Sequence, residues 1–417
     1  MSLNFYLKKV ANLVLLKMIS FDSSLNLIQK SVLKSLKSEF IDINESFGRI
    51  LASDLYSKCD YPRENLSSMD GAVIFKSDLK LKEIEIVGEI KAGDSFTNDF
   101  NKGQSKLIFT GGIVPGKNKV IIPKEQFLIS KNKLIIKDRK IQNFIRIKGS
   151  DFKKKELCLS KNTKMNCTTI ALAAAMRINK IEVIKKPNVI VIITGDELFS
   201  SDKDNPLVIS TNQIMIKKIV NDFGGNIKNI YIVKDRIEDL EKLIKKLRDF
   251  DILITSGGIS RGKYDLVKKV LCNQKMKILF DRVLIKPGKP TTFGKFSKNR
   301  YFLGLPGNPV SCFTSLVFFF SKFINCFYGS DYLKITKTKL ILNNNLNKNK
   351  NLTLFLRIKK IKNKPNFFNV FSKQDSAQMK ILSESNGILI RKPYEKNLIK
   401  GTECYVLLYE NIVSNNI

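Results

Sequence analysis

Apolar and polar positions change period several times along the chain. Residues 23–38 place Leu25, Ile28, Val32, Leu33 and Leu36 at helical spacing, which predicts a helix capped by Asp22 or Ser23. Between residues 60 and 145 the apolar runs are short, at 84–87, 107–109, 120–122 and 134–136, and Gly, Asp, Asn and Lys turns separate them. That pattern predicts a β-rich unit. A helix containing residues 170–176 follows. Residues 189–193 then form an unbroken apolar strand, followed by helix 213–223, strand 230–233, helix 237–247 and strand 252–255. Strands alternating with helices predict a doubly wound parallel α/β sheet, whose ligands bind outside the carboxyl ends of the strands. An apolar helix over 312–320 comes next, and from about residue 332 short strands return.

Length and composition narrow the possible functions. A chain of 417 residues holds roughly two to four domains. Lys plus Arg is 73 and Asp plus Glu is 38, a formal charge of +35, and 43% of residues are hydrophobic, as in a globular protein. There is no histidine, so imidazole triads, histidine bases and the usual catalytic zinc sites are excluded. The 7 cysteines are scattered without a C-x-x-C pair and read as free thiols in a reducing compartment. The charge first suggests nucleic acid or an anionic membrane. However, the lysines are spread over the whole chain together with Asn and Ile, which share A/T-rich codons, and no RNP-like aromatic motif occurs. The Lys/Asn-dense stretch 334–364 carries Leu340, Ile341, Leu342, Leu352, Leu354 and Leu356 in alternating runs and reads as a solvated β surface. At the N-terminus two lysines precede an apolar run over 10–16 that is too short to span a bilayer, and a second Met stands at position 18. The expectation is a cytoplasmic protein with no membrane and no nucleic-acid partner.

Several motifs fall on strand ends. Residues 111–118 nearly match a phosphate loop, but Asn118 replaces the magnesium-binding hydroxyl and a strand rather than a helix follows, so a tight turn is expected. Thr194-Gly195-Asp196-Glu197 closes one strand. Its carboxylates suit a hard cation, or else a polar turn or helix cap. Ser256-Gly257-Gly258, with Ser260 and then Asp265, closes another, and its glycines expose backbone N–H groups as in an anion nest. Lys286-Pro-Gly-Lys289-Pro sets two cations on a proline-fixed loop that suits an oxyanion. Pro306 and Pro309 precede the apolar helix, whose N-terminus is either a second anion site or a simple cap at Asn308 or Ser311. Ser-Met-Asp70-Gly and Thr110-Gly-Gly, taken singly, are turns.

Taken together, the motifs Ser-Met-Asp-Gly (68–71), Gly-Glu-Ile-Lys-Ala-Gly (88–93), Thr-Gly-Gly (110–112), Lys-Gly-Ser-Asp (148–151), Thr-Gly-Asp-Glu-Leu (194–198), Ser-Gly-Gly-Ile-Ser (256–260), Lys-Pro-Gly-Lys-Pro (286–290) and Leu-Pro-Gly-Asn-Pro (305–309) occur in an order that resembles the molybdopterin molybdenumtransferase family, which includes the C-terminal part of gephyrin. The resemblance runs from about Met18 to the C-terminus. It implies a homodimer of L-shaped, four-domain subunits. The domains would be a discontinuous linking α/β domain over 18–58 and 145–186, an inserted β-rich domain over 59–144, a molybdopterin-binding α/β domain over 187–331 and a C-terminal β-barrel-like domain over 332–417, after an extension over 1–17. It also implies insertion of molybdate into adenylated molybdopterin with Mg2+-dependent release of AMP. An upstream adenylyltransferase and downstream molybdoenzyme maturation proteins would be the partners.

By the same resemblance, Glu197, Asp265 and Asp235 hold the metal, beside Asp196. Thr194, Gly195, Ser256, Gly257, Gly258 and Ser260 line the nucleotide, and Lys286 and Lys289 grip oxyanions. Pro306 and Pro309 shape the pocket, and Ser376 contributes from the C-terminal domain. Asp70, Thr110, Arg146 and Asp151 complete the site from the second subunit. Three positions depart from the family: Ala72 in place of Tyr, Lys263 in place of an acidic residue and Ser210 in place of Asp. The rival expectations are a pterin-binding adenylyltransferase-like enzyme, a non-catalytic scaffold of the same fold, and a nucleic-acid binder driven by charge.

Overall fold

The computed structural model describes residues 18–94, 98–139, 142–195, 210–257, 266–296, 299–329 and 331–413. The chain divides into two units, Phe40–Val183 and the combination of Met1–Glu39 with Ile184–Ile417.

The unit Phe40–Val183 contains a six-stranded sheet in the order Lys119–Pro123, Gly71–Phe75, Gln104–Ile108, Ile84–Ile90, Lys133–Ile136 and Phe127–Ser130. Strand periodicity builds its two faces. Ala72 and Ile74 enter one core with Ile84, Ile122 and Leu134, while Val73 enters another with Ile90, Ile108 and Ile121. The segment that resembled a phosphate loop is the expected turn, with positive φ at Gly116 and Asn118, and it leads directly into strand Lys119–Pro123. A separate core gathers Leu51, Phe152, Met165, Ala173 and Val183 around helix Cys167–Ala175. That helix starts with a capping box in which Asn166 and Thr169 satisfy each other's backbone N–H.

The second unit carries the α/β sheet. Strand β1 (Asn188–Thr194), helix α1 (Thr211–Asp222), strand β2 (Asn226–Val233), helix α2 (Ile237–Lys246), strand β3 (Ile252–Ser256), helix α3 (Leu266–Asn273) and strands β4 (Lys277–Asp281), β5 (Thr292–Lys295) and β6 (Tyr301–Leu305) follow in sequence. The spatial order is β2-β1-β3-β6-β5-β4. β2, β1, β3 and β6 run parallel, as the alternation predicts. β5 and β4 add an antiparallel edge that the sequence pattern did not announce. Their apolar residues are interrupted by Lys and Gly, and their pairing is decided by tertiary contact. Helix α4 (Pro309–Tyr328) is longer than the expected 312–320. It includes a π-helical turn at Leu316–Phe320 and ends at Gly329 in the left-handed conformation. α4 is long and apolar enough to cross a bilayer, yet most of it is buried inside the protein, as in a core helix.

The C-terminal strands close on themselves. Thr353–Ile361 pairs with both Lys364–Val370 and Gly387–Arg391, and the ring is completed through Thr338–Leu342 and Glu403–Leu408. This is the expected barrel-like β domain. Leu340 and Leu342 point into its core while Lys339 faces water, so the Lys/Asn-rich stretch is a solvated β surface with one apolar face. Ile285–Lys286 joins the barrel as an extra parallel strand against Thr353 and Leu354.

One predicted element is corrected. The first helix spans Phe21–Ser31, not 23–38, and its N-cap is Ser20, whose side chain accepts from Ser23 N. Asp22 lies in the first turn, where its charge suits the helix dipole. The chain leaves the helix because its amides find tertiary partners. Leu33 N donates to the Tyr301 hydroxyl at 2.9 Å and Ser35 N to the Phe327 carbonyl at 2.8 Å. Leu36 is consequently 93% exposed despite its helical spacing.

Helix α3 is tied to the antiparallel edge by a buried ion pair. Lys268 Nζ lies 2.9 Å from Asp281 Oδ1, which also accepts from the Thr292 hydroxyl at 2.7 Å. Substituting Lys268→Met leaves a largely buried carboxylate without its cation. The expected loss of stability is about 3 kcal/mol, measured by urea denaturation. The chain has no tryptophan, so far-UV circular dichroism is the signal to follow.

Candidate active site

Register brings the carboxyl ends of three parallel strands to one level. Ile193 pairs with Ser256, and Ser256 with Leu305, so Thr194, Gly257 and Pro306 leave the sheet side by side. Gly257 has φ +90°, and a Cβ there would collide with the Thr194 carbonyl oxygen. Only glycine combines that backbone angle with that approach. The Ser256 hydroxyl is buried beneath the corner. It accepts from Asn212 Nδ2 at 2.9 Å and donates to the Pro306 carbonyl at 3.4 Å.

Outside these strand ends lies a cleft of about 800 Å³. Gly257, Pro306 and Gly307 form its floor, Lys286 to Pro290 one side, Asn308 and Ser311 another, and Ser372, Gln374, Asp375 and Ser376 of the barrel domain the far wall. The lysine loop is braced from beneath. Gly288 has φ +105°, and its carbonyl accepts from the Thr291 hydroxyl at 2.6 Å, which shares a hydrogen bond with Ser315 Oγ at 2.7 Å. Val283 N holds the Lys289 carbonyl at 2.9 Å. Lys286 stays exposed and Lys289 is half-buried, so both cations sit on a fixed backbone beside the cleft.

Ser376 is joined directly to the start of α4. Its hydroxyl accepts from Asn308 Nδ2 at 2.9 Å and its carbonyl from Val310 N at 3.0 Å. The helix N-terminus is therefore met by the barrel loop: Pro309 has no N–H, and the Val310 amide is occupied. Asn308 holds the cap position without a side-chain cap bond. Pro306 lines the cleft, and Pro309 starts the helix without lining it.

Three residues at or beside the cleft were not singled out in the sequence. Asn212, in the first turn of α1, also donates from Nδ2 to the Gly307 carbonyl at 2.7 Å. Arg357 is only 2% exposed. Its Nε donates to Gln374 Oε1 at 3.2 Å, and Gln374 Nε2 returns to the Arg357 and Phe371 carbonyls at 3.2 and 2.9 Å. Gln374, the third of these, lies in the barrel wall of the cleft. Burial pushes the Arg357 guanidinium below its usual range, and among the described residues its Nη1 has no hydrogen-bond partner. The available signal was an arginine in the middle of an apolar strand run, Leu354 to Ile358.

The remaining predicted residues fall into groups. Thr194 is buried at the end of β1, and Gly195 follows it. Asp235 is half-buried between β2 and α2. Asp196, Glu197, Gly258, Ser260 and Asp265 lie outside the described residues. Among the described residues, no group of three or more Cys, Asp or Glu could hold a metal ion.

In the unit Phe40–Val183, Asp70 and Thr110 meet: Asp70 Oδ1 accepts from both the amide and the hydroxyl of Thr110, each at 2.8 Å. These bonds, the backbone one first, hold the Asp70 carboxyl below the ordinary aspartate range. Arg146 is exposed on the strand paired with Leu66–Ser67, and Ser67 is bonded to Gly111 and Gly112. Asp151 stands further along, with its amide on the Tyr61 carbonyl at 3.0 Å.

Comparison with known proteins identifies the family. Residues 19–176 match the MoeA N-terminal region (domain I and II), and residues 190–325 match the probable molybdopterin binding domain. The molybdopterin molybdenumtransferase of Staphylococcus epidermidis is 31% identical over 337 residues, which is 78% of this chain and 80% of that protein. The chain belongs to the molybdopterin molybdenumtransferase family. The family's member from Nostoc sp. is 32% identical over 288 residues, 66% of each chain. The crystal structure of the molybdopterin biosynthesis MoeA protein from Pyrococcus horikoshii superimposes with a TM-score of 0.77 at 26% identity, covering 94% of this chain and 99% of that one.

The Asp70–Thr110 pair gives a pH prediction. A carboxyl depressed by folding adds stability above its unfolded pKa, and that stability is lost as pH falls through the lower folded value. Thr110→Val removes the hydroxyl bond and keeps the amide bond. The Asp70 carboxyl then titrates at higher pH than in the wild type but still below an ordinary aspartate, as read by carboxyl-carbon NMR. An unshifted titration would contradict the hydroxyl's part.

Proposed function

We propose that the protein inserts molybdate into adenylated molybdopterin with release of AMP, and that the cleft at the strand ends holds this nucleotide. The observation that carries the proposal is the meeting, in one cleft, of a glycine-cornered strand end, a braced pair of lysines and a barrel loop joined to a helix start. Phosphates favour fixed cations beside an unobstructed backbone corner, and the braced lysine loop and the turn at Gly257 support that reading.

In this proposal Gly257, with Gly258 and Ser260, seats the phosphates, and Ser256, which the sequence placed among the nucleotide-lining residues, instead holds the corner from beneath because its hydroxyl is buried on Asn212 and Pro306. Lys286 and Lys289 draw the molybdate and phosphate oxyanions together and stabilise charge as an oxygen of molybdate or water bonds to the adenylyl phosphorus and the phosphoanhydride P–O bond breaks. Pro306 shapes the floor, Pro309 sets the helix start and Ser376 bounds the pocket from the barrel. Thr194, Gly195 and Asp196 border the nucleotide. The protein acts as a cytoplasmic homodimer, in which Asp70, Thr110, Arg146 and Asp151 of a second copy face the cleft. It takes its substrate from an adenylyltransferase and passes its product to molybdoenzyme maturation. The four-domain boundaries stated above complete the proposal.

Mg2+ is the finer part of it. Its proposed carboxylates are Glu197 and Asp265, with Asp235, and the described residues gather no metal cluster of their own. The steps above are accordingly assigned to lysines, hydroxyls and backbone. A bound divalent ion would supply charge neutralisation at the phosphates.

Purified protein incubated with adenylated molybdopterin, molybdate and Mg2+ should release AMP and form active cofactor, and chelation should stop both. Glu197→Ala or Asp265→Ala is expected to slow AMP release by about a hundredfold or more. Unchanged molybdate-dependent release would refute those carboxylates. Lys286→Ala should raise the KM for molybdate by about tenfold, and an unchanged KM would remove Lys286 from the site.

A further inference from the structure

We infer that Asn212 is a positioning residue that clamps the Ser256–Gly257 corner to Gly307 and so sets the floor of the cleft. It stands second in α1, immediately after the segment leaving β1. Its amide gives both hydrogens away, one to Ser256 Oγ at 2.9 Å and one to the Gly307 carbonyl at 2.7 Å. Turning the amide over would set oxygen against the Gly307 carbonyl, so the network fixes its orientation. Asn212 is 9% exposed, and among the described residues its buried Oδ1 has no hydrogen-bond partner. A buried acceptor left unmatched is unfavourable, and the molecule keeps it while both donors are engaged.

The two ends of the clamp are both cleft floor. Gly257 and Gly307 line the cavity, and a Cβ built on Gly307 would lie 3.8 Å from Gly257 Cα, in van der Waals contact. Ser256 extends the link to the Pro306 carbonyl at 3.4 Å. Beyond the strand pairing of Ser256 with Leu305 and the Ser256–Pro306 bond, one amide on a third element ties together the two loops that must grip one ligand. With the amide removed, Ser256 Oγ and the Gly307 carbonyl both lose a buried donor, and the floor can part.

The ligand side of this inference rests on the proposed function, so the test separates the two. AMP binding to the full chain is measured by calorimetry for wild type, Asn212→Ala, Asn212→Asp, Ser256→Ala and the Asn212→Ala/Ser256→Ala double variant, with circular dichroism reporting folding. Each Asn212 variant should bind AMP about tenfold more weakly, and the double variant should lose much less than the product of the single losses. Asn212→Asp adds a pH signature. Its introduced carboxyl regains one donor when protonated, so its deficit relative to wild type should shrink as pH falls, and the deficit of Asn212→Ala should not. Affinities within twofold of wild type, multiplicative losses or a pH-independent deficit for Asn212→Asp would overturn the clamp. If Asn212→Ala does not fold, the isosteric Asn212→Asp decides alone through its pH dependence. If wild type itself does not bind AMP, the functional proposal fails and amide hydrogen exchange decides the clamp. Faster exchange at Gly257 and Gly307 in the variant, with β2 unchanged, supports it, and unchanged exchange there overturns it.

Discussion

The close approach of Gly257 to the Thr194 carbonyl controls how this α/β sheet presents its ligand edge. Parallel strands end with their loops on one side, but a crevice forms there only if those loops leave the sheet level with one another and without side chains in the way. The pairing of Ile193 with Ser256 and of Ser256 with Leu305 provides the level. The missing Cβ at Gly257 lets the second loop turn against the first. The lysine loop, the start of α4 and the barrel wall are all arranged around that corner.

The barrel domain reaches the cleft by backbone connections. Ile285–Lys286 is itself a barrel strand, paired with Thr353–Leu354, so the loop that carries both lysines is rooted in the domain that supplies the opposite wall. Ser376 then bonds to Asn308 and Val310 at the start of α4. The far half of α4 buries its own Phe320, Phe323 and Tyr328 in the core. A shift of the barrel loop is thus resisted by a helix packed into the core, which suits a site that must hold charge in fixed geometry.

The high positive charge is largely decoupled from this site. Several cations are buried and neutralised where they stand. Lys119 Nζ lies 3.0 Å from the Phe75 ring centroid and 2.8 Å from Asp99. Arg391 is bonded to Glu395 and to the Lys396 carbonyl. Others, such as Lys339 and Lys359, pair with glutamates on the surface of the barrel, where ion pairs contribute little to stability. Lys286 and Lys289 differ from these in their backbone, which is held by Val283, Thr291 and Ser315.

Local pattern determined much of this protein. Runs dominated by β-branched residues specified β1 and β3, because a strand covered on both faces has no polar alternative. Glycine beside serine at 256–257 marked the corner, because no other residue reaches φ +90° there without strain. Tertiary structure decided the rest. Leu33 and Leu36 had helical spacing but left the helix once Tyr301 and Phe327 claimed nearby amides. β4 and β5 paired antiparallel because β6 offered an edge, which no local propensity encodes. Asn212 and Arg357 looked like ordinary polar residues, and their importance came from partners 44 and 17 positions away. A sequence states which backbone angles and burial each residue favours. Which distant carbonyl a buried amide or guanidinium will satisfy is settled only when packing has removed the water that could have done so instead.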